Sequence, residues 1–120
     1  MEIRTGIDIV NVARVQESIE KHGDAFLKKI FNKSEIVYCE GKASKFLSYA
    51  ARFAAKEAFI KAIGGTQGIA NFIDIEIVNQ SSGKPRIVID QEKQKALNIS
   101  QISLSVSHEK DFAVAMVVLI

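Results

Sequence analysis

The chain has 120 residues, 48% of them hydrophobic and 25% charged, and a net charge of +2. That balance fits one globular domain over residues 1–120, excludes a disordered chain, and is too mildly basic to point to nucleic acid by itself. One cysteine, Cys39, and two histidines, His22 and His108, exclude an internal disulfide and a Cys/His zinc cage, so a metal here must use oxygen ligands, as Mg²⁺ does.

No apolar run reaches the roughly 18 residues that span a bilayer. The opening residues Met1-Glu2-Ile3-Arg4 lack the basic-then-apolar order of a secretion signal. The expectation is a cytoplasmic protein that does not associate with membranes.

Ile3, Thr5, Ile7 and Ile9 alternate with Arg4, Gly6, Asp8 and Val10, a period of two that predicts a first strand. Asn11 then caps a helix with the apolar stripe Val12, Val15 and Ile19, and Gly23 ends it. Asp24 is expected to cap a helical piece over 25–31, and Ser34 another reaching Cys39. Residues 44–62 form the strongest predicted helix, free of Gly and Pro and rich in alanine. Gly64-Gly65 stops it, and a loop runs to about Asn71. The alternation over 72–79 predicts a strand, Ser81-Ser82-Gly83-Lys84-Pro85 a turn, and 86–89 its partner strand. Asp90 caps a short helix to about Leu97. Two strands close the pattern, 102–107 and 112–120, joined by His108-Glu109-Lys110-Asp111 and therefore antiparallel. Helices dominate the first half and strands the second. The predicted class is α+β, with a long central helix packed on an antiparallel sheet.

Glu57 and Lys61 lie four apart on one face of the long helix, with Phe53, Ala54 and Ile60 beside them. The helix is apolar nearly all round, and charges in such a surround are paired, metal-bound or functional. From helix geometry alone, a Glu57–Lys61 ion pair is the plainer reading. Asp8 sits in an otherwise apolar strand, where aspartate is disfavoured. It either caps the following helix or binds a metal. Together, one carboxylate on the strand and a carboxylate plus lysine on the helix suit a Mg²⁺–phosphate site. Mg²⁺ takes one or two protein carboxylates and fills its other positions with water and phosphate oxygens, and lysine adds a point charge. The remaining motifs are weaker. Gly64-Gly65-Thr66-Gln67-Gly68 follows a helix instead of opening one, so helix termination outweighs anion binding. Gly83-Lys84-Pro85 is not a phosphate-binding P-loop, because Pro85 stands where Ser or Thr is needed. Ser103, Ser105 and Ser107 form a solvated or interface face.

Gly6-Ile7-Asp8-Ile9, the run from Arg52 to Ala62, Gly83-Lys84-Pro85 and Ser105-Val106-Ser107-His108, in this order, resemble the holo-acyl-carrier-protein synthase family within the 4'-phosphopantetheinyl transferases. The resemblance runs from about residue 3 to the last strand. It implies transfer of the phosphopantetheine arm of coenzyme A to a serine of an acyl carrier protein, in support of fatty acid biosynthesis. It implies Mg²⁺ held by Asp8 and Glu57, with Lys61 on the phosphates as a catalytic group beside Glu57. Arg52 and His108 are then expected at the 3'-phosphate and Gly83-Lys84-Pro85 along the adenosine. The serine proton goes to Glu57 or to a metal-bound water. Family members of this length act as homotrimers with a site at each subunit interface. Arg14, Lys21, Lys28 and Lys29 resemble the basic surface that docks the acidic carrier protein. This chain departs from the family pattern at Arg4, which stands where a glycine is common, and at Ser107 and Glu109, which flank His108 where a threonine is common. Two other readings are a catalytically silent relative that binds coenzyme A, and a small basic nucleic-acid-binding domain. The retained Asp8, Glu57 and Lys61 disfavour the first. The lack of aromatic stacking positions on basic strands disfavours the second.

Overall fold

Helix α4, Lys45–Ala62, runs through the middle of the molecule. The computed structural model describes residues 2–65 and 71–120. Nine of the helix's 18 residues are buried, which is why an alanine-rich stretch with so many apolar positions is helical here and stable. The helix stops where expected: the Gly64 and Gly65 amides donate to the carbonyls of Lys61 and Ile60, with φ of 82° and 117°, values that glycine adopts at no steric cost. The remainder of that glycine-rich stretch, Thr66-Gln67-Gly68, for which anion binding is the weaker reading, lies outside the described residues.

One face of α4 rests on a three-stranded antiparallel sheet of order β1-β5-β4, made of β1 (Arg4–Asn11), β5 (Phe112–Leu119) and β4 (Ile102–His108). A separate hairpin pairs β2 (Glu76–Asn79) with β3 (Pro85–Val88). The helix and sheet meet through small side chains. Ala54, Ala55 and Ala58 of the helix and Ala113 and Ala115 of β5 are all fully buried. Gly6 of β1 takes this to the limit: a Cβ there would overlap the carbonyl oxygen of Ala58 and come within 2.8 Å of the Ala62 amide nitrogen. Glycine is required because β1 and α4 touch backbone to backbone.

That contact decides which face of β1 is inside. Gly6 and Val10 point inward, while Ile3, Ile7 and Ile9 point outward, each more than 60% exposed. Ile7 pairs with Met116 and Ile9 with Val114 across the ladder. The outer sheet face is therefore apolar on β1 and β5 and carries Ser103, Ser105 and Ser107 on β4, where serine was expected to face solvent or an interface.

Among the described residues, four smaller helices pack around this unit: α1 (Val12–His22), α2 (Asp24–Ile30), α3 (Lys33–Glu40) and α5 (Gln91–Ala96). Asn11 caps α1 and Asp90 caps α5 as the sequence predicts, each side chain accepting from first-turn amides. Two caps differ from expectation. Gly23 occupies the cap position of α2, and Asp24 sits inside the first turn, where its charge still suits the positive end of the helix dipole. For α3 the cap is Asn32. It forms a reciprocal capping box with Glu35, satisfying two free amides where Ser34 could satisfy one. The Ser34 hydroxyl instead lies within hydrogen-bond reach of Asn32 Oδ1 and Glu76 Oε2, which share its one proton. The strand expected over 72–79 begins only at Glu76, and Phe72–Asp74 is a turn of 3₁₀ helix.

The reason for that last departure is a buried ion pair. Lys56 of α4 and Glu35 of α3 are both fully enclosed, Nζ 2.7 Å from Oε1. The ammonium also donates to the carbonyls of Ile30 (2.8 Å) and Phe72 (2.9 Å), so its three protons have three acceptors. Glu35 accepts as well from the amides of Asn32 and Ile77. Burial lowers the proton affinity of Lys56, and the adjoining carboxylate opposes that. The pair thus joins the end of α2, the start of α3, the 3₁₀ turn and β2 to the middle of α4.

Candidate active site

The close seat of Gly6 on α4 fixes what lies two residues further along β1. Asp8 faces the helix beside Glu57 and Lys61. The Lys61 ammonium donates to Asp8 Oδ1 at 2.9 Å and to the Ile7 carbonyl at 3.1 Å. Asp8 therefore neither caps α1 nor stands alone, and Lys61 pairs across to the strand and not along its own helix to Glu57. The Lys61 side chain is half exposed. A pair of this kind stabilises by at most about 1 kcal/mol, so a ligand can take over either partner at little cost to the fold.

Glu57 is left with no cation of its own among the described residues. Partial burial raises its pKa above the usual carboxylate value, the negative charge of Asp8 raises it further, and Lys61 acts the other way. Two carboxylates thus repel each other at a cleft of about 430 Å³ that is also lined by Asn11, Arg14, Phe26 and Phe53. A divalent cation bound between them would relieve that repulsion. No cluster of three or more His, Cys, Asp or Glu able to hold a metal occurs among the described residues. The donor set of two carboxylates fits Mg²⁺, which keeps water and phosphate oxygens in its remaining positions, and fits Zn²⁺ poorly.

A second cleft, of about 480 Å³, opens elsewhere on α4 and shares no lining residue with the first. Arg52 and Glu57 are five residues apart, which turns them about 140° around the helix axis. This second cleft gathers Arg52, Pro85 and His108, together with Tyr38, Lys42 and Asn79. Arg52 is only 6% exposed. One of its terminal nitrogens donates to Asn79 Oδ1, and Asn79 donates in turn to the Gly83 carbonyl at 2.9 Å. Its Nε, also buried, makes no hydrogen bond among the described residues. Gly83 has φ of 90° in the β2–β3 turn, and Lys84 is exposed beside it. The predicted site residues therefore fall into two groups: Asp8 and Glu57 in one cleft with Lys61 bonded to Asp8, and Arg52, Pro85 and His108 in the other with Gly83 tied to it. A single chain does not join them.

The sequence model of the 4'-phosphopantetheinyl transferase superfamily matches residues 4–117. The chain belongs to that superfamily. Among its transferase relatives, the holo-[acyl-carrier-protein] synthase of Solibacter usitatus is 42% identical over 123 aligned positions, covering 99% of this chain and 98% of the relative. The enzyme of the same name from Chlamydia trachomatis is 40% identical over 114 positions, covering 94% and 95%. Among solved structures, the Helicobacter pylori holo-[acyl-carrier-protein] synthase in complex with coenzyme A superposes with a TM-score of 0.88 at 38% identity, covering 96% of this chain and 98% of that one. The Neisseria meningitidis synthase gives 0.89 at 35% identity, covering 97% and 96%. The transferase fold expected from sequence, a long helix on an antiparallel sheet, is thus present.

Sequence reasoning did not identify every residue that shapes these clefts. Lys56 precedes Glu57 in an apolar helix, and its burial was readable from that surround. Its partner Glu35 was not. Tyr38 and Asn79 carry no local signal, because their role depends on where α3 and the β2–β3 hairpin return against α4.

Proposed function

We propose that this protein is a holo-[acyl-carrier-protein] synthase. It transfers the 4'-phosphopantetheine group of coenzyme A to a serine of apo acyl carrier protein, releasing adenosine 3',5'-bisphosphate, and so supports fatty acid biosynthesis. The observation that carries the reading is the meeting of Asp8 and Glu57 in one cleft, with Lys61 bonded to Asp8 at its edge, in a chain whose holo-[acyl-carrier-protein] synthase relatives match it over nearly its whole length.

In this reading Asp8 and Glu57 hold Mg²⁺, and the metal when bound offsets the charge of the coenzyme A pyrophosphate. Lys61 leaves Asp8 for a phosphate oxygen and stabilises the charge that develops as the phosphoanhydride breaks. The serine oxygen bonds to the phosphorus nearest the pantetheine, and its proton passes to Glu57 or to a water. The bond from that phosphorus to the bridging oxygen breaks, and that oxygen departs with the adenosine bisphosphate. Arg52 and His108 take the 3'-phosphate, and Gly83-Lys84-Pro85 runs along the adenosine. Arg14, Lys21, Lys28 and Lys29, on α1 and α2, present the basic surface for the acidic carrier.

The enzyme acts as a homotrimer in which one copy's Asp8–Glu57 cleft meets its neighbour's Arg52–His108 cleft. Two features support this. The two residue groups are separate on one chain. The outer sheet face is apolar, with Ile7, Ile9 and Met116 all exposed, and such a face on a chain of this size calls for a covering partner. No helix among the described residues is long and apolar enough to cross a membrane, and the buried free thiol of Cys39 agrees with a reducing compartment. We place the enzyme in the cytoplasm.

The test is mass spectrometry of an apo acyl carrier protein incubated with this protein, coenzyme A and Mg²⁺. The carrier gains one phosphopantetheine group, and EDTA abolishes the gain. Glu57→Gln stays folded and transfers nothing. Transfer by that variant at the normal rate would show that the proposed metal site is wrong.

A further inference from the structure

The second cleft contains an aromatic ring that the proposed function leaves without a role. Tyr38, on α3, is partly buried and lines that cleft. The Arg52 guanidinium carbon lies 4.0 Å from the centre of its ring, and the Lys42 ammonium 4.7 Å. Both distances fall within the range of a cation–π attraction. One ring therefore attracts two like charges at the wall of one cavity and offsets part of their mutual repulsion.

The state of Arg52 shows which way this arrangement is directed. The residue is almost wholly buried, yet no carboxylate pairs with it among the described residues. Its protein contacts are a neutral amide oxygen on Asn79 and the face of Tyr38. Its Nε makes no hydrogen bond among the described residues. A guanidinium in this condition is held in shape but not neutralised, and its unspent hydrogen-bonding capacity is suited to an anion. Lys42 is exposed and pairs with no carboxylate among the described residues.

We propose that Tyr38 is a positioning residue that sets the preference for the 3'-phosphate of coenzyme A, by holding Arg52 and Lys42 at the wall of the second cleft. This rests on the transferase reading above and adds to it a second cation and the ring that orients both. The phosphate, doubly charged near neutral pH, meets a preset pair of cations together with His108. Tyr38 itself touches no phosphate, so its loss acts on binding of the 3'-phosphate and leaves the chemical step alone.

The test compares coenzyme A with 3'-dephospho-coenzyme A as donors to apo acyl carrier protein, for the unaltered protein, Tyr38→Phe, Tyr38→Leu and Lys42→Ala. The unaltered protein prefers coenzyme A. Tyr38→Phe keeps that preference, because the ring remains. In Tyr38→Leu the KM for coenzyme A rises about tenfold while the KM for the dephospho donor and kcat stay put, so the preference shrinks by the same factor. Lys42→Ala, a surface change that does not threaten folding, gives a smaller loss in the same direction, about threefold. If Tyr38→Leu and Lys42→Ala keep the full preference while the unaltered protein transfers normally, the role of Tyr38 is refuted and the transferase reading stands. If both donors lose equally in Tyr38→Leu, the ring supports only the fold, and the proposal fails. If the unaltered protein transfers from neither donor, the transferase reading falls and takes this one with it.

Discussion

Replacing Lys56 by methionine tests how the middle of α4 is held. Methionine matches the lysine stem in volume and removes only the ammonium. Three acceptors then lose the ammonium: the carbonyls of Ile30 and Phe72 and Glu35 Oε1. Glu35 keeps its bonds from the Asn32 and Ile77 amides but remains a fully buried carboxylate with no cation beside it. Stranding one member of a buried pair costs about 3–5 kcal/mol. A domain of this size has an unfolding entropy of roughly 0.25 kcal/mol per degree near its midpoint, so Tm falls by about 12–20 °C. Calorimetry at pH 7 reads this directly. Adding Glu35→Gln to Lys56→Met removes the stranded charge and recovers at least half of the loss. A single variant that melts within about 3 °C of the unaltered protein would refute the idea that this pair ties four elements to the helix.

Three further outcomes are expected. Because the folded state raises the pKa of Glu57, its ionised form costs stability, and that cost is absent below the unfolded carboxylate value and develops as pH rises above it. Glu57→Gln therefore melts higher than the unaltered protein at pH 7, and the gain vanishes at about pH 4. Added Mg²⁺ raises the Tm of the unaltered protein but not of the variant, by an amount corresponding to about 2.7 kcal/mol at a hundredfold excess over Kd. Gly6→Ala forces β1 away from Ala58 and Ala62, costs about 1–3 kcal/mol by overpacking, and lowers transfer because Asp8 moves with the strand. Ile9→Glu, at a position 64% exposed, leaves the single chain folded. Light scattering should then fall from three times the 13.2 kDa chain mass to one, with loss of transfer; a trimer that survives this charge would remove the outer sheet face as the interface.

Much of this was legible in the sequence because it is local. The Asn11 and Asp90 caps, the glycine stop after α4 and the period of β4 and β5 are set by neighbouring residues, and the structure has them. The reading weakened where one short-range pattern allowed two outcomes. Alternation in β1 established a strand without establishing its inner face, and the isoleucines proved to be outside because the helix backbone leaves room only for Gly6. Ser34 and Asn32 can both cap, and only the position of Glu35 favours Asn32. The alternation through 72–79 was interrupted because Lys56, remote in sequence, takes the Phe72 carbonyl. In the site, Asp8, Glu57 and Lys61 could be grouped from residue type and helix spacing. The separation of Arg52 and His108 into a second cleft could not, since it depends on how the β2–β3 hairpin and the end of β4 fold back against α4.

The order of the sheet also bears on how the protein acquires its shape. The central strand β5 is the last element in the chain, and it pairs with the first, Arg4 against Leu119 and Asn11 against Phe112. Closing that ladder requires a search over nearly the whole chain, while the caps and the β2–β3 and β4–β5 hairpins can form nearby and early. Folding should therefore be limited by the arrival of β5 at β1, at rates typical of non-local β pairing and not of helical bundles. Until then the isoleucine edge of β1 is unpaired, and the interval before closure is when the chain is most exposed to aggregation.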